Sequence, residues 1–420
     1  MLILFFVVLL IVLLTAYAAF RGDVTSPSLI LVFLFLIGTF FSIVGNFWWN
    51  EVFFPFTFIV LLVGIVCVVV GELYGRSLFD VFYKNKYIFA PPLFYIKSSR
   101  IIVLLAAQLI VAFLYYKRLN AMIESIGFTG EFFLRYSRMA TIDYGLKLGS
   151  FFTFFLWVAT SGSYASTYFF IASFFKKNIV TRFGKVLLLL SIFVGVFVFV
   201  LGAAKFGLLQ LMTIALFTYV YYSTKTFAQG RLFLLARVLV FVVIALVCIN
   251  TLTFFRLENT TKNVVDTLCI YAGSSIMGLN SWLQTDSYSI FFGEETFWGV
   301  RKMLNIIIPS IETTKQFDEF THFFNGSSTN IYTAYRAFFS DFGWMGLILI
   351  SFLIGMFYSI FYCYVRRSNK DLFIVVYAFL FFYMAYMLFA PVVTTSILTT
   401  SRMMGLLWLV VISRFLVKIE

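Results

Sequence analysis

Uninterrupted apolar runs close to twenty residues long, separated by short polar breaks, dominate this chain from its first residue. The opening run is MLILFFVVLLIVLLTAYAAF, and similar runs recur to the C-terminus. The runs are continuous rather than alternating, so they predict helices and reject a barrel, whose strands alternate apolar and polar positions. About 20 apolar residues carry a helix across a ~30 Å hydrocarbon core. Lipid offers no partner to a backbone N–H or C=O, so the polypeptide must satisfy these groups within each helix. The pattern predicts spans over Leu2–Phe20, Pro27–Val44, Val52–Leu73, Arg100–Tyr116, Ser150–Phe175, Val186–Gly202, Phe206–Ser223, Val238–Phe255, Asp341–Tyr364, Asp371–Ala390 and Met403–Val417. That is about eleven helices. Composition agrees: 62% of the 420 residues are hydrophobic and 12% are charged, more apolar surface than a soluble fold can hide. The expected fold class is all-α: a polytopic integral membrane protein with a single membrane domain over residues 1–420 and one large outer loop over 256–336.

Charge gives the spans a direction. Lys and Arg cluster in one set of loops: Arg76, Lys84, Lys86 and Lys97; Lys176, Lys177, Arg182 and Lys185; Lys225, Arg231 and Arg237; Arg366, Arg367 and Lys370; and Lys418. The short loops opposite are nearly bare, so the basic set should be cytoplasmic. An odd number of spans then puts the N-terminus outside and the C-terminus inside. No cleavable leader is expected, because the first run lacks a basic preface and is too long for a signal core. The net charge of +13 follows from this loop asymmetry, so nucleic acid is not an expected partner. The interval from Arg256 to Arg336 is roughly 80 residues, beyond the ~60 at which loop charge stops governing topology. A second outer segment, Lys117 to Gly149, carries mixed charge.

The large loop is the place for water-side chemistry. Within it, Ser289–Ile308 reads as a surface helix, with Phe297, Val300, Leu304 and Ile307 at helical spacing. Glu294 and Glu295 lie near its start, where the helix dipole favours anions, and Arg301 and Lys302 follow. Such a helix either rests on the bilayer surface or packs as an ordinary loop helix. Four cations flank outer span ends: Lys205 in the turn GAAKFG, Arg256, Arg336 and Arg402. A guanidinium donates paired hydrogen bonds to phosphate oxygens, so these cations are candidates for an anionic lipid headgroup. Each also has the plainer reading of a helix anchor that snorkels to the interface. Asp341 is a candidate acid or base, and an N-cap of its span competes with that role. Asn330 could cap or bind sugar. His322, the sole histidine, is a candidate base. Glu312, Asp318 and Glu319 have no decisive spacing. The spacing of Cys67, Cys248, Cys269 and Cys363 offers no metal motif. The 58 Phe, 24 Tyr and 7 Trp supply both lipid-facing surface and sugar-stacking platforms.

Three segments of the loop and its flank carry a family resemblance: YAGSSIMGLNSWL (Tyr271–Leu283), FFGEETFWGVRKML (Phe291–Leu304) and TNIYTAYRAFFSDFG (Thr329–Gly343). In these the chain resembles the O-antigen polymerase (Wzy) family of bacterial surface polysaccharide synthesis. GAAKFG is similar to a family turn that often carries Arg; here the cation is Lys205. The resemblance covers the large loop and its borders rather than the whole chain. It implies a GT-C-type membrane glycosyltransferase of the bacterial inner membrane, with its active site on the periplasmic side. The substrates would be undecaprenyl-pyrophosphate-linked oligosaccharides, with no cofactor and no required metal. A chain-length regulator and a flippase would be partners alongside membrane lipid. Arg256 and Arg336 would contact pyrophosphate, with Lys205, Arg402 and Arg301 in support. Asn330 and Tyr332 would orient sugar, and His322 or Asp341 would assist the acceptor hydroxyl. Two other readings compete. An O-antigen ligase shares the donor and the large loop but hands the glycan to lipid A core. A lipid-linked oligosaccharide flippase would need charged residues inside its spans, which the runs mostly lack.

Overall fold

The computed structural model of the chain describes all residues except 84–93, 128–147, 177, 203, 227–263, 286–291, 312–319, 324–327 and 420. The described chain is mostly helical. In chain order the helices are α1 (Leu2–Ala19), α2 (Pro27–Trp49), α3 (Pro55–Tyr83), α4 (Ser98–Ser125), α5 (Ser150–Phe175), α6 (Arg182–Leu201), α7 (Lys205–Thr226), α8 (Val264–Leu268), α9 (Ser274–Trp282), α10 (Trp298–Ile307), α11 (Ala334–Ser368), α12 (Asp371–Ala385), α13 (Val392–Thr395) and α14 (Thr400–Leu416). Two antiparallel pairs of short strands add to them. Phe94–Ile96 pairs with Val417–Ile419, and Thr321–His322 pairs with Ser328–Thr329.

Among the described residues, eight helices are long and apolar enough to cross a membrane: α1 to α4, α6, α7, α11, and α12 extended to Leu388. The chain is therefore a membrane protein. Three expected spans stand differently. Val238–Phe255 lies outside the described residues. α14 has only 17 residues. α5 has 26, but its centre reads TSGSYAST, and those small polar residues dilute its hydropathy. They are used for packing. Ser163, Ser166 and Tyr164 are buried, and Ser161 donates to the Gly405 carbonyl of α14 at 2.8 Å. Small residues of this kind hold membrane helices together where apolar burial gives no drive.

The described residues form two compact units. The first comprises Met1–Phe89, Lys262–Ser368 and Tyr383–Thr400. Its centre is the close crossing of α3 and α11. A Cβ added at Gly71 would fall on the Phe352 carbonyl, and one at Gly355 on the Val68 carbonyl. Gly75 faces the Met356 carbonyl and Ser359, and Ser359 donates to the Glu72 carbonyl at 2.8 Å. Glycine permits this backbone-to-backbone approach because it has no side chain to place between the helices.

One end of this unit is closed by ions. Glu72 is fully buried and accepts from Ser26 Oγ (2.8 Å), Ser28 N (2.7 Å), Ser28 Oγ (2.6 Å) and Arg76 Nη2 (2.6 Å). Arg76 reaches on to Asp23 at 3.3 Å, and Arg366 meets the same carboxylate at 2.6 Å. Thr25 and Tyr362 share a short hydroxyl contact beside it, and Tyr362 also bonds Asp23 at 2.9 Å. The α1–α2 turn and the last turns of α3 and α11 thus meet at one face, as the loop charges require. Four charges alternate in sign, and each carboxylate is met by more than one donor, which is what makes such burial tolerable.

The second unit comprises Ala90–Thr261, Asn369–Phe382 and Ser401–Glu420. Its basic end is knitted in the same manner. Lys176 contacts Asp371 at 2.7 Å, and Tyr168 and Tyr222 donate to the same carboxylate at 2.5 and 3.0 Å. Arg100 donates to the Phe415 and Val417 carbonyls at 2.7 and 2.9 Å. Gln108 in mid-helix bonds the Ala159 carbonyl (2.9 Å) and Ser191 Oγ (2.6 Å), which ties α4 to α5 and α6.

Two outcomes follow. Gly71→Leu or Gly355→Leu should destabilise the protein by about 1–3 kcal/mol or more through overpacking, read as a lower thermal midpoint in detergent, while an exposed-site control such as Leu14→Ala should not. Burial alone would raise the Asp23 carboxyl, but Arg366, Thr25, Arg76 and Tyr362 outweigh it and hold it below its ordinary value. A depressed carboxylate stabilises fully above its unfolded value of about 4 and loses that contribution as pH falls through the folded value. Thermal midpoints measured from pH 7 down to 3 should therefore hold steady and then drop, and Asp23→Asn should flatten the drop. An unchanged drop in that variant would assign it to other carboxylates.

Candidate functional site

In the first unit, the segment 264–282 holds the floor of the site. α8 runs through a π-helical turn at Cys269–Gly273 into α9. Its small residues are contact points. A Cβ at Gly273 would lie 2.6 Å from Ser42 N of α2, and one at Gly278 would lie 2.8 Å from the Ile331 carbonyl. Ser42 donates to the Gly273 carbonyl, and Ser274 Oγ bonds Thr329 Oγ1, both at 2.8 Å. The buried Asn280 accepts from Phe54 N and Thr57 Oγ1 and donates to the Val52 carbonyl, each at 2.9 Å. Asn280 thereby bolts α9 to the α2–α3 turn, and Trp282 follows two residues on. Cys269 is buried in this segment, and burial with Asp266 nearby pushes its thiol up to about 11, so it stays protonated at neutral pH.

Arg336 stands over that floor. It is the third residue of α11 and only 9% exposed. Its guanidinium lies 4.3 Å from the Tyr332 ring centroid and 5.3 Å from that of Trp282. A flat cation over aromatic faces gains from the ring quadrupoles, more so away from water. Tyr332 is itself buried, and its hydroxyl bonds Thr321 Oγ1 at 2.6 Å. Arg336 Nη2 also donates to Glu295 Oε1 at 3.3 Å.

Glu295 is presented by the turn before α10, where Gly293 has φ +73°. Asp341 fastens that turn: its oxygens accept from Glu295 N (3.3 Å) and Thr296 N (2.6 Å). Thr296 Oγ1 adds a bond to the Ala337 carbonyl at 3.0 Å. One helical face of α11, carrying Arg336, Ala337, Ser340 and Asp341, thus grips the Gly-Glu-Glu-Thr turn.

These contacts correct two expectations. α11 begins at Ala334, seven residues before Asp341, so Arg336 lies within the helix rather than ahead of it. Asp341 caps the amides of the 293–297 turn rather than the start of its own span. The break comes later, at Gly343 (φ 58°, ψ −145°), a backbone conformation open to glycine because it lacks a Cβ. The loop helix is also shorter than the apolar stripe suggested: Trp298–Ile307, with Glu294 and Glu295 in the turn ahead of it. Three of its four stripe positions, Phe297, Leu304 and Ile307, are exposed, while Val300 is half-buried. Gly299, on the other side, packs against Thr395 and Thr399.

The remaining candidates fall around these elements. His322 is exposed on its two-residue strand, and Asn330 is half-buried just beyond the partner strand. Arg301 is half-buried on α10. Lys205 and Arg402 belong to the second unit. Arg402 lies 4.4 Å from the centroid of Phe206, the residue after Lys205, and 5.2 Å from that of Trp157. Trp157 Nε1 donates to Ser401 at 3.1 Å. Arg256, Glu312, Asp318 and Glu319 lie outside the described residues. Among the described residues no group of three His, Cys, Asp or Glu side chains is placed to hold a metal ion.

A shared trait links the four described candidate cations. Lys205 is the first residue of α7, Arg336 the third of α11, Arg402 the third of α14 and Arg301 the fourth of α10. None of these helices has an acidic residue in its first turn. A helix N-terminus carries partial positive charge, so a cation there is mildly unfavourable and an anion favourable. Arg100, Arg182 and Lys185 also open helices, but on the basic face, where loop charge accounts for them. Neither Trp282 nor Glu295 was distinguishable in the sequence as Arg336's neighbours, because both contacts span dozens of residues.

Asp341→Ala should release both turn amides. The expected cost is about 0.5–2 kcal/mol, as for loss of a helix cap, with faster hydrogen exchange confined to residues 293–297. Asp341→Asn, which keeps one acceptor oxygen, should fall between. Uniform exchange in the alanine variant would show that the turn stands without it. No family model, curated protein sequence or solved structure matches this chain.

Proposed function

We propose that the chain is a membrane glycosyltransferase that polymerises a bacterial surface polysaccharide. The growing glycan would move from undecaprenyl pyrophosphate to a new lipid-linked repeat unit at the periplasmic face of the inner membrane, within a GT-C-type architecture. The motifs that resemble the O-antigen polymerase family support this reading. The observation that carries it is Arg336: a buried guanidinium stacked on Tyr332 and Trp282, ion-paired with Glu295, in the first turn of a helix.

The chemistry follows from that pair. The bond from the anomeric carbon to the pyrophosphate oxygen breaks, and negative charge grows on the leaving group. A fixed guanidinium meets that charge, reinforced by the positive end of α11. The acceptor hydroxyl oxygen forms the new glycosidic bond and gives up its proton. Glu295, a quarter exposed and held 3.3 Å from Arg336, is placed to take it. The free carrier pyrophosphate then leaves. Before substrate arrives, Glu295 keeps Arg336 in position; phosphate oxygens then compete for the same N–H groups. Arg301 supplies a further cation near a helix start, and the half-buried Asn330 offers a polar contact for sugar.

Purified protein given a synthetic pyrophosphate-linked repeat unit, with no nucleotide sugar, should lengthen the glycan. Arg336→Ala should slow this by about 10²–10³-fold, the usual loss for one preorganised donor. Arg336→Lys should recover only part, because an ammonium cannot form the planar paired contact. Glu295→Gln should lose turnover more than binding. In cells, Arg336→Ala should leave surface glycan at single repeat units. Long chains at normal protein level would remove Arg336 from the site, and long chains left on the lipid carrier would indicate a ligase instead.

A further inference from the structure

A further feature lies in the second unit. α4 and α6 leave between them a groove of about 590 Å³ lined by apolar side chains, among them Leu105, Leu109, Phe113 and Tyr116 of α4 and Phe193 and Phe197 of α6. Gln108 faces away, bonding α5 and α6, so the two helices are pinned on one side while the other stays open. Leu109, Phe113, Tyr116, Phe193 and Phe197 are all exposed. From Leu105 to Tyr116 the α4 wall rises by roughly 16 Å at ~1.5 Å per residue. That is half of a ~30 Å hydrocarbon core, one leaflet deep. Its end is marked twice. Tyr116 is a residue type that settles at the headgroup level, and Lys117 follows, its ammonium 4.8 Å from the Phe113 ring.

We propose that this groove holds one acyl chain of an anionic glycerophospholipid, with the lipid phosphate at Lys117. Depth, apolar lining and a cation at the mouth select the same occupant. An acyl chain reaches through one leaflet, whereas an undecaprenyl chain is several times longer than the groove. Phosphate complements Lys117, and a zwitterionic headgroup does so less, because its own cation opposes the contact. The inference is independent of the glycosyltransferase reading, since it uses neither its residues nor its substrate.

Native mass spectrometry of the full chain in mild detergent tests it, with dioleoyl phosphatidylglycerol or dioleoyl phosphatidylcholine added at matched concentration. The wild type should retain a single phosphatidylglycerol, several-fold more than phosphatidylcholine. Lys117→Gln, at an exposed site, should erase the preference while keeping the fold. Leu109→Trp, which fills the groove, should lose both lipids, with its thermal midpoint confirming a folded protein. Equal retention of the two lipids by the wild type, a preference that survives Lys117→Gln, or wild-type binding by folded Leu109→Trp would overturn the proposal. Displacement of phosphatidylglycerol by equimolar undecaprenyl phosphate would overturn it as well, by naming a different occupant.

Discussion

Hydrocarbon gives no partner to a charge, and the deeply buried ionised side chains of this protein are organised around that fact. Glu72 collects two serines and Arg76; Asp371 collects Lys176 and two tyrosines; Arg336 lies between aromatic faces and Glu295. The first two sets close the basic ends of their units. They join turns distant in sequence through groups whose removal would strand a buried charge, which is a far larger penalty than losing the pair itself. The third set sits instead in the stretch that borders the large loop.

The difference between these sets is informative. Glu72 and Asp23 are surrounded by donors fixed on helices and on the α1–α2 turn, an arrangement suited to holding helices together. Arg336 faces a carboxylate on a turn, and the turn is itself held by Asp341. Its guanidinium lies against two aromatic rings and points to that carboxylate. The helix start beneath it adds positive potential in the same direction.

Small residues play matching roles in both kinds of place. At the α3–α11 crossing they let two spans touch backbone to backbone, and along α8–α9 they let the 264–282 segment settle against α2 and the 329–332 stretch. In each case the glycine carries no chemistry of its own but sets how closely a functional or charged neighbour approaches.

Run length and loop charge alone determined that this is a helical membrane protein, which helix ends gather within each unit, and which polar stretch merits attention, because hydrophobic length and Lys/Arg asymmetry are local properties of the sequence. The Arg336 motif was likewise visible as a dense polar string. Tertiary structure decided the rest. It made Asp341 the clamp of a turn 45 residues away, drew Glu295 and Trp282 to Arg336, and extended α11 back through the motif to Ala334. It also left His322 exposed. A carboxylate before an apolar run reads as a helix start when only neighbours in sequence are considered. Its real partners are amides brought near by folding, and no periodicity along the chain encodes a contact of that range.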